Sequence, residues 1–252
     1  MPKTLTSNDT YEAVNASVNA SVNASDVLTE HAKWLLSTRD LLSDEDHAEK
    51  HLKVFLKYFV ITQDEHDDAN PFKKMPYDKM PHLRFMAEVY TREQLICVAK
   101  SRQLMLTWFW CSVLLWDAMF KRGRLNIVVN KKEPDADGTI ERMRFIYKNL
   151  PEMIKAYIPA DKTPQGQLGS YCKLTFKCND STIMGLPQNP DAVRQNTASN
   201  LFIDEAAFIE RAFECYTAAL PTIRGGGKLI LNSTPKGQNF FCNVYNDLGK
   251  EV

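Results

Sequence analysis

The sequence predicts an α/β fold, a mostly parallel sheet flanked by helices, with an N-terminal helical appendage. Three observations carry that reading. From about residue 95, short apolar runs alternate with longer helical stretches, which is the order of a parallel sheet with covering helices. Two of those runs, Leu201-Phe202-Ile203 and Leu229-Ile230-Leu231, are continuously apolar and stop abruptly at polar residues. Strands covered on both faces read this way, and such sheets bind ligands at the carboxyl ends of their strands. Finally, 252 residues at 44% hydrophobic suffice for one large domain with an appendage.

The elements follow in order. Residues 1–25 hold the repeat Asn15-Ala16-Ser17-Val18, Asn19-Ala20-Ser21-Val22, Asn23-Ala24-Ser25, a low-complexity segment that cannot bury a core. Residues 26–60 read as two helices. Asp26 can cap the first, which carries Trp34, Leu35 and Leu36. Ser43 can cap the second, with Asp46 three residues on. Leu52, Phe55, Leu56 and Phe59 have helical spacing on that second helix. His47 and His51 lie four apart there, as metal ligands can, but no third ligand accompanies them and exposed surface is the expectation. Residues 63–71 form a polar boundary loop. Then come a strand at 95–99, a largely buried helix at 108–120, a strand at 125–129 and a helix at 141–150 carrying Arg142, Arg144 and Lys148. Residues 172–176 and 181–186 form a hairpin across Asn179-Asp180. A strand ends at Asp204, a helix starts near Ala206, and Gly225-Gly226-Gly227 turns into the strand 228–232.

Composition excludes some classes. Lys plus Arg equals Asp plus Glu at 31 each, so a wholly basic nucleic-acid coat is ruled out. A local basic face remains open at Lys121, Arg122, Arg124, Lys131 and Lys132, as does an ordinary solvated face. Six cysteines without a CxxC pair fit a reduced intracellular protein rather than a disulfide or zinc framework. The apolar stretch 108–120 is broken by Asp117 and is too short for a bilayer, and no signal peptide is visible.

Two segments carry candidate chemistry. Asp204 and Glu205 are adjacent carboxylates at the end of a buried strand. One could hold Mg²⁺ and the other polarise an attacking water. An acidic first helical turn would explain them equally well. The second segment is the octet Lys100-Ser101-Arg102-Gln103-Leu104-Met105-Leu106-Thr107, directly after a strand. A phosphate loop needs helix N-terminal amides, a cation near the β- and γ-phosphates and a hydroxyl for Mg²⁺. Thr107 supplies the hydroxyl, and Lys100 or Arg102 a cation. Against the usual Gly-x-x-x-x-Gly-Lys-Ser/Thr, Met105 replaces the second glycine and Leu106 the lysine, so an ordinary strand-to-helix turn is the competing reading.

Taken in order, Lys100-Ser101-Arg102-Gln103…Thr107-Trp108, then Leu201-Phe202-Ile203-Asp204-Glu205-Ala206, then Asn232-Ser233-Thr234-Pro235-Lys236-Gly237 resemble the ATPase domain of the large terminase subunit of tailed bacteriophages. That family has an atypical Walker A of the Lys-Ser/Ala-Arg-Gln-x-Gly-x-Ser/Thr kind, a Walker B ending in Asp-Glu-Ala and a Ser-Thr-Pro coupling motif. The similarity covers roughly residues 60–248, with Met105 departing from the family's glycine.

The resemblance implies a P-loop NTPase of the ASCE/RecA-like class over 61–252. It implies an ATP-driven motor moving double-stranded DNA into a procapsid in the host cell cytoplasm. It implies ATP and Mg²⁺ as cofactors, and portal protein and small terminase subunit as partners. The chain would form a homo-oligomeric ring when assembled and a monomer in isolation. Lys100 to Thr107 would bind nucleotide, Thr107 and Asp204 would hold Mg²⁺, and Glu205 would activate water. Ser233 and Thr234 would couple hydrolysis to movement. Arg194 would be the arginine finger to a neighbour, with Arg224 in reserve, and Pro71-Phe72 would help form an adenine pocket. The family's nuclease domain is not expected in this chain, because no Asp/Glu cluster follows the coupling motif. A helicase-like DNA-dependent ATPase and a degenerate, non-hydrolysing P-loop scaffold are the alternatives.

Overall fold

The computed structural model describes residues 25–64 and 67–248. The Asn-Ala-Ser repeat lies outside them, apart from Ser25. Helix α1 covers 25–37 and α2 covers Glu45–Tyr58. The cap of α2 is Asp44, not Ser43. Asp44 has the extended backbone a cap needs, and its carboxylate accepts from the His47 N–H at 2.8 Å. The expected polar loop at 63–71 proves to join a short antiparallel hairpin, β1 (Ile61–Gln63) and β2 (Phe72–Lys74). Helix α3 (Pro81–Arg92), unassigned from sequence, starts on proline, which suits a first turn.

The α/β unit then runs β3 (Leu95–Ala99), α4 (Leu106–Phe120), β4 (Leu125–Asn130), α5 (Glu133–Lys148), α6 (Glu152–Tyr157), β5 (Lys173–Phe176) and β6 (Ser181–Pro187). It continues through α7 (Pro190–Arg194), β7 (Asn200–Asp204), α8 (Ala212–Arg224), β8 (Lys228–Ser233) and α9 (Phe240–Leu248). Helix α5 begins eight residues before the expected 141. Pro134 and Gly138 look like breakers, yet proline fits a first turn and Glu133 and Asp135 complement its dipole. After Asp204 a single 3₁₀ turn, Ala206–Phe208, precedes α8, so the expected helix starts at Ala212 instead of Ala206.

The sheet order is β3-β8-β7-β4-β6-β5, and all neighbours are parallel except β5 with β6. Because β8 lies between β3 and β7, the ends of all three strands are neighbours: Ala99 pairs with Ser233 and Asp204 with Asn232. Successive strand residues serve opposite faces. Val128, Phe202 and Ile230 join the core under α1 to α5. Ile127, Val129, Leu201, Ile203, Leu229 and Leu231 join the core under α8 and α9.

Helix α4 is apolar all round because it is covered all round. The sheet lies on one side, while Leu35, Leu52, Phe55, Leu56, Leu83 and Tyr90 of α1 to α3 belong to the same cluster. His51 contradicts the surface expectation. It is fully buried, its Nε2–H donating to the Leu35 carbonyl at 2.9 Å while Nδ1 accepts from Trp116 Nε1–H at 2.8 Å. Burial pulls its pKa down to about 4, so the ring is neutral at physiological pH. Both ring nitrogens are used in stitching α1 and α2 to α4.

Asp117, the residue that interrupts the apolar stretch, is also fully buried. It accepts from Arg124 Nε at 2.8 Å, Asn200 Nδ2 at 2.8 Å and Tyr90 Oη at 3.2 Å, with Lys121 Nζ at 3.4 Å. Two members of the basic cluster are therefore committed to an internal carboxylate, and Lys131 pairs with Glu210 at 3.1 Å. Among the described residues no helix is long and apolar enough to cross a membrane.

Gly185 on β6 lies tight against Ala136 of α5. A Cβ there would sit 3.1 to 3.2 Å from the Cβ and backbone of Ala136. Gly185→Ala is expected to destabilise by about 1 kcal/mol, the lower end of overpacking penalties, as a fall in the denaturant midpoint at constant slope.

Candidate nucleotide-binding site

The end of β3 leads into the Lys100–Thr107 loop, and the Lys100 N–H donates to the Ser233 carbonyl at 2.9 Å, tying the loop's start to β8. Gln103 and Met105 have φ of +63° and +59°. Met105 thus keeps the left-handed backbone that glycine would adopt without strain, and each such non-glycine residue costs about 1–2 kcal/mol. Leu106 opens α4 and points into the core at 4% exposure, so a hydrophobic contact occupies the usual lysine position.

Thr107 stands one residue into α4. Its hydroxyl donates to Asp204 Oδ2 at 3.1 Å across 97 residues of sequence. Asp204 Oδ1 accepts from Asn232 Nδ2 at 2.8 Å and from the Glu205 N–H at 3.1 Å. Burial pushes the Asp204 carboxyl up, the Asn232 hydrogen bond opposes that, and the Glu205 charge adds to it.

Glu205 sits in left-handed backbone at φ +50°. Its Oε1 receives Lys100 Nζ at 2.6 Å, and its Oε2 accepts from the Thr234 N–H at 3.2 Å and the Ser233 hydroxyl at 3.4 Å. Ser233 Oγ also accepts from the Ala207 N–H at 3.0 Å. The structure therefore gathers Lys100, Thr107, Asp204, Glu205, Ser233 and Thr234 at one edge of the sheet. Ser101 and Arg102 lie exposed on the loop.

The arginines are not brought in. Arg194 pairs with Asp191 at 2.8 Å on the exposed side of α7, and Arg224 is exposed at the end of α8. The donor set fits Mg²⁺: a hydroxyl and a buried carboxylate in contact, oxygen only, suit a small hard cation that keeps most of its waters. Among the described residues no group of three His, Cys, Asp or Glu could hold a metal by itself, as expected for an ion bound largely by water and phosphate.

Beside the loop a cavity of about 930 Å³ opens, walled by Gln63, Lys74, Met80, Met105, Trp108 and Arg142. Its volume lies at the upper end of the range for small-molecule pockets. The Arg142 guanidinium lies over the Trp108 indole, 6.0 Å from the ring centroid. Phe72 does not line this space; its ring packs on Phe145 with centroids 5.3 Å apart. Two contributors carry little signal of their role in the sequence. Asn232 was readable only as the polar end of a strand, and His82, whose Nε2–H reaches the Leu104 carbonyl at 3.1 Å, gave no sequence signal.

The fold is a mostly parallel α/β sheet in which the loop between β3 and α4 lies near an acid-tipped strand two positions away. Solved structures share it. The large terminase of bacteriophage HK97 superposes with a TM-score of 0.58 at 12% identity, over 81% of this chain and 41% of that one. The large terminase ATPase domain of a Thermus phage gives a TM-score of 0.48 at 17% identity, over 60% of this chain and 64% of that one. The chain thus spans less than half the length of the HK97 protein, and at these identities what is shared is the fold. No family model matches the chain.

Proposed function

We propose that this chain is the ATPase motor domain of a viral large terminase, hydrolysing ATP to drive double-stranded DNA into a procapsid. The observation that carries the reading is the convergence of Lys100, Thr107, Asp204 and Glu205, from two separate segments, at the carboxyl ends of β3 and β7. Residues 61–252 are the ATPase unit and 26–60 its helical appendage.

Phosphoryl transfer needs positioning and charge neutralisation more than covalent chemistry. The loop amides from Ser101 to Leu106, with Lys100 and Arg102, bind the phosphates. Thr107 and Asp204 would hold Mg²⁺, which supplies neutralising charge on the β- and γ-phosphate oxygens. Glu205 orients the attacking water and takes its proton. Ser233 and Thr234, bonded to the same carboxylate, link that event to β8. Arg194 acts in trans on a neighbour's nucleotide, with Arg224 in reserve, which its exposed position allows. Double-stranded DNA, portal protein, small terminase subunit and further copies of the chain in a ring are its partners, in the host cytoplasm.

Met105 and Leu106 favour one other reading, a P-loop scaffold that no longer hydrolyses. ATP turnover of the full protein, measured with DNA and procapsids and without them, separates the two. Mg²⁺-dependent turnover that rises with the assembled partners is expected. Absence of nucleotide binding by calorimetry under every assembled condition overturns the motor reading, and duplex unwinding without packaging replaces it with a helicase.

A further inference from the structure

The loop between β3 and α4 holds two non-glycine residues, Gln103 and Met105, in left-handed backbone. Nothing in their side chains favours that conformation, so something outside the loop must hold it. The residue between them, Leu104, has its carbonyl oxygen 3.1 Å from His82 Nε2. A carbonyl only accepts, so Nε2 carries the proton and donates.

His82 sits in the first turn of α3, 22 residues upstream, and is partly buried. Leu104 and Met80, the cap residue just before α3, both pack against the main core. The hydrogen bond thus joins the crown of the loop to an anchored helix. A carbonyl held by His82 is turned towards α3. Were it free, it could swing towards the hollow where the loop's amides gather and repel an anion there.

We propose that His82 is a positioning residue: it clamps the Leu104 carbonyl and so holds the glycine-poor loop in its anion-receiving conformation, replacing the restraint-free fit a glycine at position 105 would give. The inference rests on the loop being the triphosphate site. It assigns His82 no contact with the nucleotide.

The test uses the full chain with His82→Ala, His82→Gln, Met105→Gly and the His82→Ala/Met105→Gly double variant. Two quantities are read: amide hydrogen exchange of the 100–107 segment without nucleotide, and the calorimetric Kd for Mg-ATP. His82→Ala should speed loop exchange and raise Kd by about tenfold, the loss of one well-placed hydrogen bond, with Tm nearly unchanged. His82→Gln, which keeps a donor, should recover part of both. In the Met105→Gly background the same His82→Ala change should cost less than about threefold, because glycine removes the strain the clamp opposes.

Unchanged loop exchange in His82→Ala overturns the proposal, as does an equal penalty with glycine at 105, which would mark a merely structural contact. If the wild-type chain binds no Mg-nucleotide, it is the site assignment that fails, and the exchange measurements alone then decide whether the clamp exists.

Discussion

Glu205→Gln is expected to lower ATP turnover by a factor of about 10²–10⁴, the usual contribution of a positioned general base, while Mg-ATP still binds. The geometry sharpens this into a prediction about affinity. Glu205 is held by Lys100 at 2.6 Å, and the lysine side chain is only 9% exposed. Arriving phosphates compete with that carboxylate for the cation. Glutamine keeps the shape but forms no ion pair, so Lys100 is released and Kd should stay the same or fall. Lys100→Ala should do the reverse and raise Kd. Single-turnover hydrolysis and calorimetry on the two variants check both halves. Undiminished turnover in Glu205→Gln would remove Glu205 from the mechanism, and a weakened affinity would show that Lys100 does not serve both partners.

Asp117→Ala should be the most damaging substitution outside the site, costing about 3–5 kcal/mol because the Arg124 and Lys121 charges lose a fully buried partner. Burial by itself would push the Asp117 carboxyl up, but Lys121 and Arg124 outweigh it and hold the group below the usual carboxylate range. The sign follows. A depressed folded-state pKa means the stabilisation is fully present above the unfolded value, near 3.9, and is lost as pH falls through the lower folded value. Denaturant midpoints between pH 7 and 2 should therefore show a steeper acid loss in the wild type than in Asp117→Asn. Identical acid limbs would mean the carboxylate is not ionised in the fold.

The sheet was legible because β7 and β8 are apolar through their middles and stop at polar residues. Those stops also marked the site, since Asp204, Glu205, Ser233 and Thr234 are local to strand ends. Thr107 and Lys100 were readable from position after β3. The errors arose where tertiary context decides. His51 is a polar residue that sequence alone places on the surface, and partners 16 and 65 residues away make it interior. The short β1–β2 hairpin falls below any periodicity, and α5 opens with two residues that resemble breakers. Met105 departs from glycine in side chain only, because it takes the positive φ that glycine adopts freely. Arg194 and Arg224 stay on the surface, which a single chain leaves as an expectation about its neighbours.

Helix α4 behaves as a stiff shaft. Its first turn carries Thr107, and its flanks are gripped by the sheet on one side and by α1 to α3 on the other. A close-packed interior transmits displacement instead of absorbing it. On the proposed function, a change of nucleotide state that pulls on Thr107 would be passed along α4 to the N-terminal helices packed on it, and their outer surface would move although it touches no phosphate.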